Sequence, residues 1–304
     1  MKSKFLIIGG GGFIGINLCR LLVTKGISVY SFDRCLPKTK IEGVNYIEGD
    51  FFDDAILKNI IEDKDVIYHA ISTINPGNSN EKYMQGYNLD FIQTIKLCSL
   101  LQETSKRLIF LSSGGTVYGI QEKQPIKETA LPTPINHYGN LKLCIENTIR
   151  TFNTQSNSKS LIARISNPYG PGQDYTKGVG FIDAVLKKTL RNELLEIWGD
   201  GETIRDYIYI DDVCELLYQL SQYKGEEVVF NISSSEGVSQ NQVISILKRY
   251  NSNIKVEYKS SRNVDAKKVI LDNSKIKNIC NFQFIKFQDG LKLYYDYLSK
   301  NIEL

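Results

Sequence analysis

A doubly wound parallel α/β sheet followed by a smaller, mixed α/β unit is the architecture that this 304-residue sequence predicts. Three observations carry that reading. A glycine-rich turn joins an apolar strand to an apolar helix at the N-terminus, strand and helix patterns alternate through the first two-thirds of the chain, and the rhythm changes at Asn167-Pro-Tyr-Gly-Pro171. At this length the chain can bury a substantial core in one large or two modest domains.

The elements follow in order. Lys4-Phe-Leu-Ile-Ile-Gly9 reads as a short buried strand, and Ile16 to Val23 has the apolar spacing of a helix, so Gly9-Gly-Gly-Gly12-Phe-Ile-Gly15 occupies the turn between them. Glycines there let backbone amides approach a pyrophosphate, and the helix N-terminus favours its charge. The G-x-x-G-x-x-G spacing is one residue wider than the commonest dinucleotide fingerprint of the Rossmann fold. The next strand, Ser28 to Asp33, ends in an acid 18 positions after Gly15. Such an acid accepts both ribose hydroxyls of NAD and repels the extra phosphate of NADP, although Arg34 beside it partly offsets that exclusion. Further strands are expected at Asn45–Glu48, Asp65–His69, Arg107–Ser112 and Leu161–Ile165, with helices at Asp53–Glu62, Tyr83–Glu103 and Asn136–Asn153 between them. Beyond Tyr169 come shorter segments: a helix at Val179–Arg191, strands at Glu196–Trp198 and Val228–Ile232, a helix at Ser239–Tyr250 and an amphipathic helix at Phe287–Lys300. Residues 1–168 are therefore read as the NAD-binding unit, with later returns of the chain into it, and residues 169–304 as mainly a substrate-binding unit. Trp198, the only tryptophan, is assigned to packing.

Composition excludes several classes of function. The 37 basic and 34 acidic residues are well mixed and leave a net charge of +3, which is no surface for nucleic acid or membrane. No stretch approaches the roughly 20 apolar residues of a transmembrane helix. Only four apolar residues precede the glycines, too few for a secretory core segment. Six scattered cysteines without C-x-x-C suit free thiols in a reducing cytoplasm. With two histidines and no cluster of ligand spacing, no metal site is expected.

The chemistry is read from Tyr138 and Lys142. Four residues apart on a helix, a phenol and an ammonium share a face. A positive neighbour favours the phenolate, so the pair is expected to bring Tyr138 below its usual value near ~10 and make it a proton-transfer group.

Together these residues resemble the extended short-chain dehydrogenase/reductases, in the nucleotide-sugar epimerase and dehydratase branch, with the UDP-hexose 4-epimerase-like members most similar. The resemblance covers nearly the whole chain. It rests on Gly9 to Gly15, Gly49-Asp50-Phe51, His69-Ala70, Asn88, Ser112-Ser-Gly-Gly-Thr-Val-Tyr-Gly119, Tyr138 with Lys142, Arg164 to Gly172, Trp198 to Asp206 and Arg262-Asn-Val-Asp265. It implies NAD as cofactor, NADP being disfavoured, held by Gly9, Gly12, Phe13, Ile14, Gly15, Asp33 and Arg34. Asp50 and Phe51 would flank the adenine, Ala70 and Ile71 would wall the phosphates and ribose, and Asn88 and Pro168 would stand near the nicotinamide half. Tyr138 would be the proton carrier, and Lys142 would also hold the nicotinamide ribose. For a nucleotide-diphosphate sugar, it implies Ser72, Ser113, Asn167, Arg205, Arg262 and Asp265 as contacts, the two arginines gripping the diphosphate with planar forks. It further implies a homodimer through the long helices, with Leu89, Ile92, Ile95, Leu100, Leu141, Ile145 and Ile149 supplying surplus apolar surface.

One position departs from the pattern. Where the better-known members carry a Ser or Thr four residues before the tyrosine of Val-Tyr-Gly, this chain has Gly114. The catalytic hydroxyl must then come from Ser113, Thr116 or an ordered water. Gly114-Gly115-Thr116 also lacks the acids that dehydratases of this branch use for elimination. Two enzymes remain open: a 4-epimerase working through a 4-keto sugar, or an NAD(P)H-dependent 4-ketoreductase of a dTDP-linked 4-keto-6-deoxyhexose. A non-catalytic NAD-binding protein is disfavoured by the intact Tyr138/Lys142 pair. The nucleotide and the hexose are not fixed by the sequence.

Overall fold

The computed structural model describes residues 2–260, 266–280 and 282–301. Strand β1 (Lys4–Ile8) leads through the glycine turn into α1 (Phe13–Thr24), then β2 (Ser28–Asp33), β3 (Val44–Glu48), α2 (Asp54–Ile61) and β4 (Val66–His69). Helix α3 (Ser79–Gln85), a π-helical turn (Gly86–Phe91) and α4 (Ile92–Leu101) stand where one helix was expected. They lead to β5 (Arg107–Ser113), α5 (His137–Gln155), β6 (Leu161–Ile165) and β7 (Asn167–Tyr169). The remaining elements are α6 (Phe181–Leu190), β8 (Leu195–Trp198), β9 (Ile204–Tyr209), α7 (Ile210–Gln222), β10 (Val229–Ile232), β11 (Gly237–Ser239), α8 (Gln240–Leu247), β12 (Val256–Lys259), β13 (Lys268–Val269), α9 (Ser274–Lys277) and α10 (Phe287–Asn301).

Seven parallel strands form the main sheet in the order β10-β6-β5-β4-β1-β2-β3. Side chains alternate across it. Phe5, Ile7, Tyr68, Ile109, Leu111 and Ala163 face one core with Leu18, Leu22, Val213 and Leu217 of α1 and α7. Leu6, Ile8, Ile67, Leu108, Phe110 and Ile162 face another with Leu97, Leu101, Leu141, Ile145 and Ile149 of α4 and α5. Burial of both faces is the reason the strands read as unbroken apolar runs. Because β10 pairs with β6, the chain returns to this sheet after Tyr169. A smaller sheet, β11-β9-β13 with β7 on β9, and the pair β12-β8 complete the fold. The segment Ile204–Gln222, for which no element was expected, becomes β9 and α7, the helix burying Val213, Leu216, Leu217 and Leu220 on one face.

The helical surface differs from expectation in a specific way. Leu141, Ile145 and Ile149 are core residues under the sheet, and Ile95 is half-buried, whereas Tyr83, Met84, Leu89, Ile92 and Leu100 are exposed on α3, the π turn and α4.

Deep between α5 and the sheet, Arg164 and Glu146, both fully buried, form a two-pronged ion pair: Nη2 lies 2.6 Å from Oε2, and Nε lies 3.0 Å from Oε1. Glu146 Oε1 also accepts from Ser112 Oγ at 2.6 Å. Removing one member of such a pair strands a buried charge, so Arg164→Met should cost about 3–5 kcal/mol in urea unfolding, and the Arg164→Met/Glu146→Leu double variant should recover much of it. A single-variant loss of about 1 kcal/mol or less, the scale of an exposed pair, would refute this account of the anchor.

Candidate active site

The site opens at the C-terminal ends of β1, β4, β5 and β6, where the strand order reverses direction around β1 and β4. Gly9 has φ +91°, open to glycine at little cost. At Gly15 an added Cβ would overlap Gly9 O and lie 2.8 Å from Gly10 Cα, so α1 can approach the turn only because position 15 has no side chain. Gly12 caps α1 without a side-chain acceptor, leaving the first-turn amides to an anion. Asp33 stands above this turn: Oδ2 accepts from Gly11 N at 3.0 Å and Oδ1 from Arg34 N at 2.8 Å, and each oxygen keeps a further lone pair for a ribose hydroxyl. Arg34 itself is exposed.

A cavity of about 260 Å³ runs from this turn, lined by Gly9, Gly12, Phe13, Ile14, Gly15 and Ala70, to Ser113, Tyr138, Lys142 and Pro168. A larger cleft of about 1220 Å³ continues past Asn167, Trp198, Arg205 and Tyr207. Phe13, Ser113, Tyr138 and Pro168 line both. The smaller cavity offers what a dinucleotide requires, a side-chain-free turn and helix amides, and the Asp33 carboxylate stands on that same turn at Gly11.

Local sequence places Tyr138. Asn136 Oδ1 accepts from Gly139 N at 2.8 Å and starts α5, putting the tyrosine in its first turn. At Gly139 a Cβ would stand 2.5 Å from Thr116 O, so this glycine lets α5 dock against the loop after β5. Lys142, one turn on, is buried; its Nζ donates to Leu111 O at 3.0 Å and lies 4.7 Å from the Phe110 ring centroid and 5.6 Å from that of Tyr138. The phenol is not lowered as the spacing suggested. Burial pushes Tyr138 up to about 12 and the charge of Asp90 adds to that, while burial brings Lys142 down to about 8. Desolvation and the Lys142 charge also hold His69 neutral, down at about 3.

The structure separates the two candidate hydroxyls. Ser113 lines both cavities, and Thr116 Oγ1 donates to Ser113 Oγ at 2.8 Å, leaving the Ser113 proton free. Gly114 is closed to any side chain, since its Cβ would overlap Leu271 and lie 3.1 Å from Arg164 O.

Several expectations are corrected. Asn88 is exposed, and the buried polar residue of that turn is Asp90, whose Oδ2 accepts from Thr73 N at 2.8 Å and Ser72 Oγ at 3.0 Å. A helical stripe of Gly86, Asp90, Thr94, Leu97 and Leu101 carries the sequence signal for it. Ser72 lines the smaller cavity, with its hydroxyl given to Ile74 O and Asp90, so it is not on the cleft side. The Phe51 ring is core, packed 5.1 Å from His69, which leaves only its backbone at the cofactor edge beside the exposed Asp50; Ile71 is half-buried at the end of β4. Trp198, expected to pack, is 46% exposed and lines the cleft. Asn167 Nδ2 donates to Asp206 O at 3.0 Å, and Arg205 lines the same wall. Arg262 and Asp265 lie outside the described residues. Asp206, missed in the sequence as a structural centre, accepts from Ser166, Ser234, Ser235 and Leu271; burial raises it to about 6 against the pull of those donors. No group of potential metal ligands occurs among the described residues.

Residues 5–233 match the NAD dependent epimerase/dehydratase family. The chain belongs to that family. It is 30% identical over 288 residues to dTDP-4-dehydro-6-deoxyglucose reductase of Escherichia coli, covering 89% of each, and 26% identical over 301 residues to UDP-glucose 4-epimerase of Rhizobium leguminosarum bv. trifolii, covering 90% of each. Its fold superposes on the crystal structure of UDP-glucose 4-epimerase from Thermotoga maritima with UDP-glucose at a TM-score of 0.91 and 29% identity, covering 99% of this chain and 100% of that one.

Asp33 should make the protein prefer NAD, and Asp33→Ala should narrow the gap between NAD and NADP in fluorescence titrations. Tighter binding of NADP than NAD by the unmodified protein would reverse the assignment and point to Arg34.

Proposed function

We propose that this protein is an NAD-dependent nucleotide-sugar 4-epimerase acting on a UDP-hexose or UDP-N-acetylhexosamine. The observation that carries the proposal is the position of Tyr138 and Ser113 in the walls of both cavities, where a cofactor held by the glycine turn meets a sugar held in the cleft. Bound NAD supplies the hydride acceptor and donor for C4 of the sugar. Tyr138 Oη, ionised to the phenolate before this step, takes the proton of the 4-hydroxyl and returns it to O4 once the 4-keto sugar has turned and C4 has been reduced on its other face. Ser113 Oγ, fed by Thr116, donates to the same oxygen. Lys142, anchored on Leu111 O, holds positive charge beside the phenol and reaches the ribose hydroxyls. Arg205 and Asn167 grip the diphosphate at the far wall, which leaves the hexose room to rotate.

A 4-ketoreductase of a dTDP-linked 4-keto-6-deoxyhexose is the second reading, favoured by the likeness to the Escherichia coli reductase. It needs the same Tyr138 chemistry with a single hydride transfer. An epimerase should purify with NAD bound and interconvert members of a panel of UDP- and dTDP-sugars; a reductase should consume added NADH or NADPH on a 4-keto sugar. In either case Tyr138→Phe should fold, bind NAD and lose 10²–10⁴-fold in rate, the scale of acid–base help. Retention of more than about a tenth of the wild-type rate would overturn the role of Tyr138.

The proposal includes cytoplasmic residence, supported by six free thiols and by the absence, among the described residues, of any helix long and apolar enough to cross a membrane. It also includes a homodimer. The exposed Met84, Leu89, Ile92 and Leu100 lie along consecutive helical segments, an apolar surface suited to a two-fold partner. Light scattering should report twice the 34.5 kDa chain mass, and Ile92→Glu with Leu89→Glu should reduce it to one; a wild-type monomer would reject the dimer.

A further inference from the structure

We infer that Asp90 is a positioning residue whose buried negative charge tunes the Tyr138/Lys142 pair, favouring the protonated form of both the phenol and the amine in the resting site. The inference rests on the proposed proton-transfer role of Tyr138.

Asp90 is 2% exposed and sits in the π-helical turn, where the helix widens and packs against α5. Gly86 allows this approach, because a Cβ there would come within 2.5 Å of Ile74 and 2.9 Å of Leu141 on α5. One carboxylate oxygen, Oδ2, is used by Thr73 N and Ser72 Oγ, both neutral donors. The other, Oδ1, is buried and has no hydrogen-bond partner. A buried carboxylate satisfied on one side only acts strongly on its neighbours, because little solvent screens it.

The neighbours that feel it are the two site residues. Its negative charge opposes ionisation of Tyr138 and favours protonation of Lys142. Of the other charged groups, Glu146 also favours protonation of Lys142, but Asp90 is the one that acts on both members of the pair. Glu146, one turn beyond Lys142 on α5, is committed to Arg164 of β6. His69 of β4 is neutral. From β5, Lys142 meets Leu111 O and the Phe110 ring, and the uncharged Ser112 and Ser113 line the same cavity as the pair. Asp90 is thus the carboxylate near the pair whose hydrogen bonds come from no cation.

Ser72 and Thr73 couple this charge to the cavity wall, since both hold Asp90 and Ser72 lines the cavity with Tyr138 and Lys142. The consequence is directional. Removing the charge should lower the titration of both the phenol and the amine, so both limbs of the pH profile of kcat/KM should move to lower pH, by about one unit. A residue that only packs would change the height of the profile and leave its limbs in place.

The test compares Asp90→Asn and Asp90→Ser, both neutral and the second smaller, with the charge-preserving Asp90→Glu. The pH profile of kcat/KM is one readout. The other needs no turnover: the ultraviolet tyrosinate titration of each variant, taken as the difference from the same variant carrying Tyr138→Phe. Both neutral variants should shift downward in both readouts, with NAD affinity retained, and Asp90→Glu should stay close to wild type. Unmoved limbs and an unmoved phenol titration in either folded neutral variant would overturn the inference. If Tyr138→Phe alone kept its rate, the proton-transfer reading itself would fall; an inactive Tyr138→Phe together with an unshifted Asp90→Asn would reject the role of Asp90 alone.

Discussion

The buried pair of Arg164 and Glu146 is the constraint on which the active-site geometry depends. Glu146 lies one helical turn beyond Lys142 and two beyond Tyr138, so fixing its carboxylate fixes the rotation of α5 and the direction in which both side chains leave it. Arg164 comes from β6, and Ser112, the third member, comes from the end of β5 beside Ser113. The guanidinium also stacks 4.6 Å from the Tyr118 ring centroid, and Tyr118 donates to Asn231 of β10, whose amide holds Ile126 O and Asp272 O. Helix, sheet and the loop after β5 are thereby locked to one another by groups that cannot be left unpaired without large cost.

The second organising effect is desolvation. The interior that fixes Tyr138 and Lys142 also disfavours the charged form of each, which keeps the phenol protonated and lowers the amine to about 8. Spacing on a helix face therefore says where two groups are and not how they titrate. Burial decides that first, and charges from segments far apart in sequence add to it: Asp90 at the π turn acts on both groups, and Glu146 on α5 acts on Lys142. Asp206 plays the comparable role on the substrate side, gathering donors from Ser166, Ser234, Ser235 and Leu271 to tie the small sheet to the rim of the large one.

Much of this was legible in the sequence because the signals were local. Parallel strands buried on both faces read as apolar runs, and the need for glycine at position 15 lies within the turn, where a Cβ would overlap Gly9 O. Where the reading slipped, the deciding neighbour was remote. Asn88 and Asp90 are two residues apart, and the side each faces follows from the π turn, which shifts the helical phase by part of a turn. Leu141, Ile145 and Ile149 have the spacing of an interface as well as that of a core, and only the sheet beneath them chooses. Ser113 differs from Thr116 in lining the smaller cavity, whose walls come from strands and helices far apart in sequence.

The sequence by itself determined the doubly wound sheet, the cofactor turn with Asp33 above it, and the Tyr138/Lys142 pair, because each is encoded by residue type and spacing over a few turns of chain. Only the tertiary structure decided which hydroxyl lines both cavities, which acid is buried at the π turn, and how burial shifts the pair. Those properties depend on burial and on the field of groups brought together from different strands and helices, and neither quantity exists until the chain has folded.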